Sequence, residues 1–170
     1  MIQFCLSIDP GNTESAYVLL DAKTYSPIEH DKVKNEVLRE ILLQKISDNV
    51  IKHSFDAAIE MVASYGLAVG REVFETCVWI GRFAELLESN GIHVTFIYRK
   101  DVKMNLCGQT KAKDANIRMS LIDRFATHDL KNGKGTKANP DFFYNFKSDI
   151  WAAMAVGVTH LDTLKALGST

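Results

Sequence analysis

A chain of 170 residues is long enough to build one domain around a substantial core. Its 46% apolar and 24% charged residues are ordinary for a water-soluble globular protein, and no apolar run could span a bilayer, so no membrane partner is expected. The net charge of −1 carries no global basic signal, so affinity for nucleic acid has to be sought in local charge.

Met1-Ile2-Gln3-Phe4-Cys5 lacks a basic start and a cleavage site, which predicts no signal peptide. Cys5, Cys77 and Cys107 are widely spaced and form neither a C-x-x-C pair nor a zinc pattern; three reduced thiols in a cytoplasmic protein are expected. Residues 2–8 form a run rich in β-formers that ends at Asp9-Pro10-Gly11-Asn12, a strand followed by a turn. Residues 14–21 return as a second strand, and a third is expected over 27–33. Asn35 can cap an amphipathic helix running to Ser47, with Val37, Leu38, Ile41, Leu42 and Ile46 at helical spacing. Phe55 to Val62 is a compact strand and 63–66 a loop. A long helix covers 69–89, stopped by Asn90-Gly91, and 92–98 is the last clear strand.

The character then changes. Residues 99–137 hold ten Lys or Arg against four Asp, a local excess of six positive charges. A helix is expected over 113–125 and an irregular, glycine-containing loop over 128–146. A last helix spans 148–166. An antiparallel meander followed by alternating strands and helices predicts an α/β domain over 1–170, a mixed five-stranded sheet with helices on both faces.

Three acids stand out. Asp9 ends a strand after the apolar Phe4, Leu6 and Ile8, and Glu60 repeats the anomaly in Ala57-Ala58-Ile59-Glu60-Met61-Val62. Asp before Pro-Gly also starts turns, but buried carboxylates in strands need a neutralising partner. Asp149 is placed in the first turn of the last helix, where acids favour the helix dipole; the small residues after it let that helix approach the sheet and bring Asp149 towards Asp9. Three converging carboxylates would make a hard-oxygen site for Mg²⁺ or Mn²⁺, suited to phosphodiester hydrolysis. The five histidines show no metal-ligand spacing, and His160 is expected to be partly buried or on the surface.

At these residues the chain resembles RuvC-type Holliday-junction resolvases, most closely those of bacteriophages and prophages, within the RNase H-like superfamily. Ile8-Asp9-Pro10-Gly11 is similar to the family's D-P-G opening, and Ala58-Ile59-Glu60-Met61-Val62 to its I-E strand. Val102-Lys103, Gly108 and Lys111-Ala112-Lys113 resemble its V-K…G…K segment, and Ala155-Val156-Gly157-Val158-Thr159-His160 the end of its terminal helix. The resemblance implies Asp9, Glu60 and Asp149 as metal ligands, with Lys103 and Lys111 or Lys113 contacting phosphate near the cleaved bond. It implies a homodimer that cuts four-way junctions in a bacterial host cytoplasm. Arg99, Lys100 and Arg118 extend the expected DNA-binding surface, recognising phosphates and junction shape rather than bases. The family carries two acids three apart on its last helix; here Asp149 takes the first place and Ala152 the second. The aromatic wedge that the family often carries after the I-E strand is also missing, since position 63 is Ala; Tyr65 is the nearest aromatic, open to base stacking or ordinary packing.

Three other readings stay open. The lost acid at Ala152 allows a junction-binding protein weakened in catalysis. Asp9-Pro10-Gly11-Asn12-Thr13 also resembles the first phosphate loop of sugar kinases and actin-like ATPases, although no second lobe is visible in this length. A nuclease of RNA–DNA hybrids or flaps would use the same fold.

Overall fold

The computed structural model describes residues 2–47 and 54–168. Strands β1 (Phe4–Asp9), β2 (Glu14–Asp21) and β3 (Pro27–Lys34) lead into α1 (Asn35–Ser47) and β4 (Phe55–Met61). Then come α2 (Arg71–Glu88), β5 (His93–Tyr98), α3 (Arg99–Cys107), α4 (Asp114–Phe125) and α5 (Ile150–Ala166). The sheet order is β3-β2-β1-β4-β5. β3, β2 and β1 are antiparallel, and β1, β4 and β5 run parallel.

The period-two alternation of the strands divides the core between two faces. Leu6, Ile8, Tyr17, Ala57 and Ile59 pack on one side with Leu38 and Leu42 of α1 and Ile80, Phe83 and Leu87 of α2. Cys5, Ala16, Val18, Ala58 and Ile97 pack on the other with Val102 of α3, Leu121 of α4 and the buried length of α5. The expected mixed five-stranded sheet with helices on both faces is therefore present. No described helix is long and apolar enough to cross a membrane. All three cysteines are free thiols.

Helix α5 lies directly on β1 and β2. Gly157 makes this possible: a Cβ there would run into Leu20 Cδ1 and stand 2.8 Å from Ser7 Oγ and 3.0 Å from Ser7 Cβ. The stripe of small residues expected to permit close approach does so.

Four local expectations change. Asn35 begins α1, but its side chain does not cap it. Its Oδ1 accepts from Ser15 Oγ at 2.6 Å and its Nδ2 donates to the Gly11 carbonyl at 2.9 Å, so it braces the turn after Asp9. Helix α2 begins at Arg71 rather than 69. Helix α3 was not expected, because Val102 alone among its residues is fully buried and no apolar stripe marks it. Asp149 precedes α5 as its N-cap rather than lying in its first turn, and its side chain makes no capping hydrogen bond.

The segment between α4 and α5 lacks regular structure but is tightly held. Asp141 accepts hydrogen bonds from the backbone N–H groups of Thr127, His128, Asp129 and Phe142. Asp129 accepts from those of Asn132, Lys134 and Gly135. Phe143 and Phe146 are buried beside Trp151 of α5, with ring centroids 4.6 and 5.2 Å from it. This return segment thereby anchors the start of α5, where Asp149 stands. His160, expected to be partly buried or exposed, is buried because Nε2 pairs with the buried Asp56 at 2.7 Å.

Candidate active site

Strand register brings the first two acids together. Asp9 lies opposite Ala16 in β2, and Ala16 opposite Lys32 in β3. On the other side Ile8 pairs with Ile59, so Asp9 and Glu60 are neighbours one step further along, and Glu60 pairs with Ile97. One row thus reads Lys32, Ala16, Asp9, Glu60, Ile97, on the face covered by α5. Arg99 follows two residues after Ile97, at the start of α3.

The N-terminus of α5 delivers Asp149 to this row. Asp9, Glu60 and Asp149 line one cavity of about 280 Å³ together with Arg99, Asp114, Arg118, Ser148, Trp151 and Ala152. Asp9 and Glu60 lie close enough for each to influence the ionisation of the other. Burial, and then the charges of Glu60 and Asp149, hold Asp9 well above the ordinary carboxylate range against the pull of Arg99. Glu60 is also raised, by burial first, with Arg99 opposing and Asp114 reinforcing. Neighbouring carboxylates in a poorly solvated hollow favour keeping a proton between them.

Two internal cations take up part of this charge. Lys32 Nζ lies 2.6 Å from Asp149 Oδ2. Arg99 Nη1 lies 3.5 Å from Glu60 Oε2, and its other terminal nitrogen binds Asp114. The acids are therefore drawn towards separate partners. Among the described residues no three His, Cys, Asp or Glu side chains close around a common point fit for an ion. The donor chemistry nevertheless suits a hard divalent cation: all three are carboxylates, and two of them store charge that burial disfavours.

The remaining expected site residues separate into groups. Arg118 lines the acidic cavity and stacks its guanidinium on Trp151, 4.6 Å from the ring centre. Arg99, Lys100, Lys103 and Tyr65 line an adjoining hollow of about 330 Å³. A third hollow, of about 270 Å³, joins Asp9, Glu60 and Arg99 to Tyr65 and Val69. Tyr65 has positive φ (47°) and is 67% exposed, so it is no part of the core. Lys111 and Lys113 are exposed just before α4 and stand outside the linings of these hollows. Ala152 occupies the cavity wall one turn after Asp149.

Lys32 and Asp114 reach the acidic site without having been expected there. Asp114 sits inside the basic stretch, where its charge reads as local compensation. Lys32 lies in a strand of mixed charges, and only its register opposite Ala16 reveals its place.

Sequence comparison finds no protein-family model and no curated protein that matches the chain. Comparison of folds does. Thermus thermophilus RuvC superposes with a TM-score of 0.71 at 14% identity, covering 98% of this chain and 97% of that one. The same protein in complex with a Holliday junction substrate gives 0.69, again at 14% identity and with the same coverage. The Fowlpox virus resolvase bound to Holliday junction DNA gives 0.52 at 12% identity, covering 94% of this chain and 99% of that one. The chain has the RNase H-like fold that the sheet order describes.

Proposed function

We propose that this protein is a divalent-metal-dependent endonuclease of branched DNA that resolves four-way junctions. The observation that carries the proposal is the meeting of Asp9, Glu60 and Asp149, from β1, β4 and the start of α5, in one cavity rimmed by Arg99 and Arg118. Structural likeness to resolvases, two of them in complex with Holliday junction DNA, supports the same reading.

Asp9, Glu60 and Asp149 would hold Mg²⁺ or Mn²⁺. Such ions, when bound, supply an activated water and stabilise the leaving oxygen of a phosphodiester. The chain's own groups bind and orient the strand. Arg118, fixed on Trp151, offers a guanidinium fork to phosphate oxygens beside the acids, and Arg99, paired with Glu60 and Asp114, adds positive charge there. Lys100 and Lys103 continue the path beyond Arg99, with Lys111 and Lys113 flanking it from the start of α4. Tyr65 presents a free ring at the end of the third hollow, suited to stacking on an unpaired base at a branch point. A homodimer would set two such cavities on opposed strands. The exposed Phe74 (62%) and Val78 (55%) of α2 offer apolar surface for it, and sedimentation with and without junction DNA measures it.

The test is cleavage of a synthetic four-way junction in Mg²⁺ or Mn²⁺, beside flaps and RNA–DNA hybrids, with Asp9→Asn as control. Paired nicks in the junction that Asp9→Asn abolishes support the proposal. Preferred cleavage of flaps or hybrids would refute the junction assignment. Tight junction binding without cleavage would favour the second reading, a weakened junction-binding protein, which Ala152 in the cavity wall supports.

A further inference from the structure

Lys32 is the one cation of the acidic cluster that comes from an edge strand. It stands two strands from Asp9 in the same row, with only the methyl group of Ala16 between them. Asp149 bridges that space, accepting the Lys32 ammonium at 2.6 Å. Packing does not lock the pair: the two side chains are 36% and 45% exposed. Partly exposed pairs of this kind are weak. Asp149 makes no helix-capping hydrogen bond; Lys32 holds its Oδ2, and Ser148 Oγ donates to its Oδ1 at 3.2 Å.

We propose that Lys32 is a resident counter-cation which a divalent ion displaces from Asp149, and that the freed ammonium then takes up a DNA phosphate beside the acids. The inference rests on the metal-site reading above and deepens it. Lys32 draws Asp149 to its own side of the row, as Arg99 draws Glu60. Once Asp149 turns to a shared ion, the ammonium loses its carboxylate and faces the same groove. Lysine is a flexible point charge, suited to exchanging one anionic partner for another. Metal and DNA binding then reinforce one another, because each is favoured by the arrangement the other selects. Arg99 cannot serve in this way: it is tied to Glu60 and Asp114 together and has less freedom to leave.

Two measurements test this in the full chain. Mn²⁺ affinity is measured by calorimetry without DNA for the wild type, Lys32→Met, Lys32→Gln and Asp9→Asn. Four-way-junction affinity is measured by fluorescence anisotropy in EDTA and in Ca²⁺. Removing a competing ion pair of this class should tighten Mn²⁺ about two- to fivefold in both Lys32 variants. Their junction affinity in EDTA should stay near that of the wild type, while the gain on adding Ca²⁺ should shrink. Unchanged or weaker Mn²⁺ binding in both Lys32 variants overturns the inference and leaves the metal site standing. Equal Mn²⁺ binding by the wild type and Asp9→Asn overturns the metal site and this inference together.

Discussion

Replacing Asp9 by Asn tests the convergence of the acids directly, because it should stabilise the metal-free protein. The carboxyl of Asp9 is raised from 3.8 to about 8, by burial and by Glu60 and Asp149. A folded-state pKa above the unfolded value means that stability is full below about pH 4 and falls as pH rises towards 8. At 1.36 kcal/mol per unit, a lone group of this kind costs up to ~4 kcal/mol at pH 7 and under ~2 kcal/mol at pH 5. Asn removes the charge and keeps the shape. Urea unfolding in EDTA, followed by far-UV circular dichroism from pH 5 to 8, should therefore show the Asn variant pulling ahead by up to ~3 kcal/mol over that range. Saturating Mn²⁺ should narrow or reverse the gap, because an ion that binds the native wild type stabilises it. Parallel stability curves for the two proteins in EDTA would refute the claim that three negative charges crowd one cavity.

Gly157→Ala should destabilise the protein despite the better helix propensity of Ala. About 1 kcal/mol of propensity is set against ~1–3 kcal/mol of overpacking on Leu20 and Ser7, leaving a net loss of up to ~2 kcal/mol by urea unfolding. Junction cleavage should fall with it, since displacing α5 moves Asp149. His160→Leu leaves the buried Asp56 with only the exposed His93 and the Ala57 N–H as partners and should cost ~3 kcal/mol at pH 7. Burial pushes the Asp56 carboxyl up, but His160 and His93 together hold it below its ordinary value. Its contribution is therefore present above about pH 4 and lost on acidification, and the gap between wild type and variant should close towards pH 3. Asp141→Asn loses half of a carboxylate cage that gathers four backbone N–H groups; amide exchange across residues 127–142 should quicken about tenfold or more.

Much of the architecture is legible in the sequence, because it follows from local periodicity. Short apolar runs rich in β-formers mark β1, β2 and β4, and the 3.6-residue pattern marks α1. Asp9 and Glu60 are conspicuous because carboxylates at apolar strand ends need a physical reason, and the small residues around Gly157 announce a helix pressed onto a sheet. Helix α3 escapes notice because it buries so little that no stripe forms. The segment from 127 to 147 reads as irregular because its order comes from side-chain-to-backbone hydrogen bonds, which leave no periodic trace.

What the linear order determines by itself is which residues share a face and which acids are out of place there. Tertiary structure alone decides which charges meet. Lys32 lies 23 residues from Asp9 and 117 from Asp149 along the chain, and only sheet register and the seating of α5 bring the three into one cluster. The same holds for Arg99 with Asp114, and for Asn35 turned towards Gly11 rather than its own helix. Coulomb energy and hydrogen bonding depend on distance in space, and chain separation does not encode that distance until the backbone has closed its sheet.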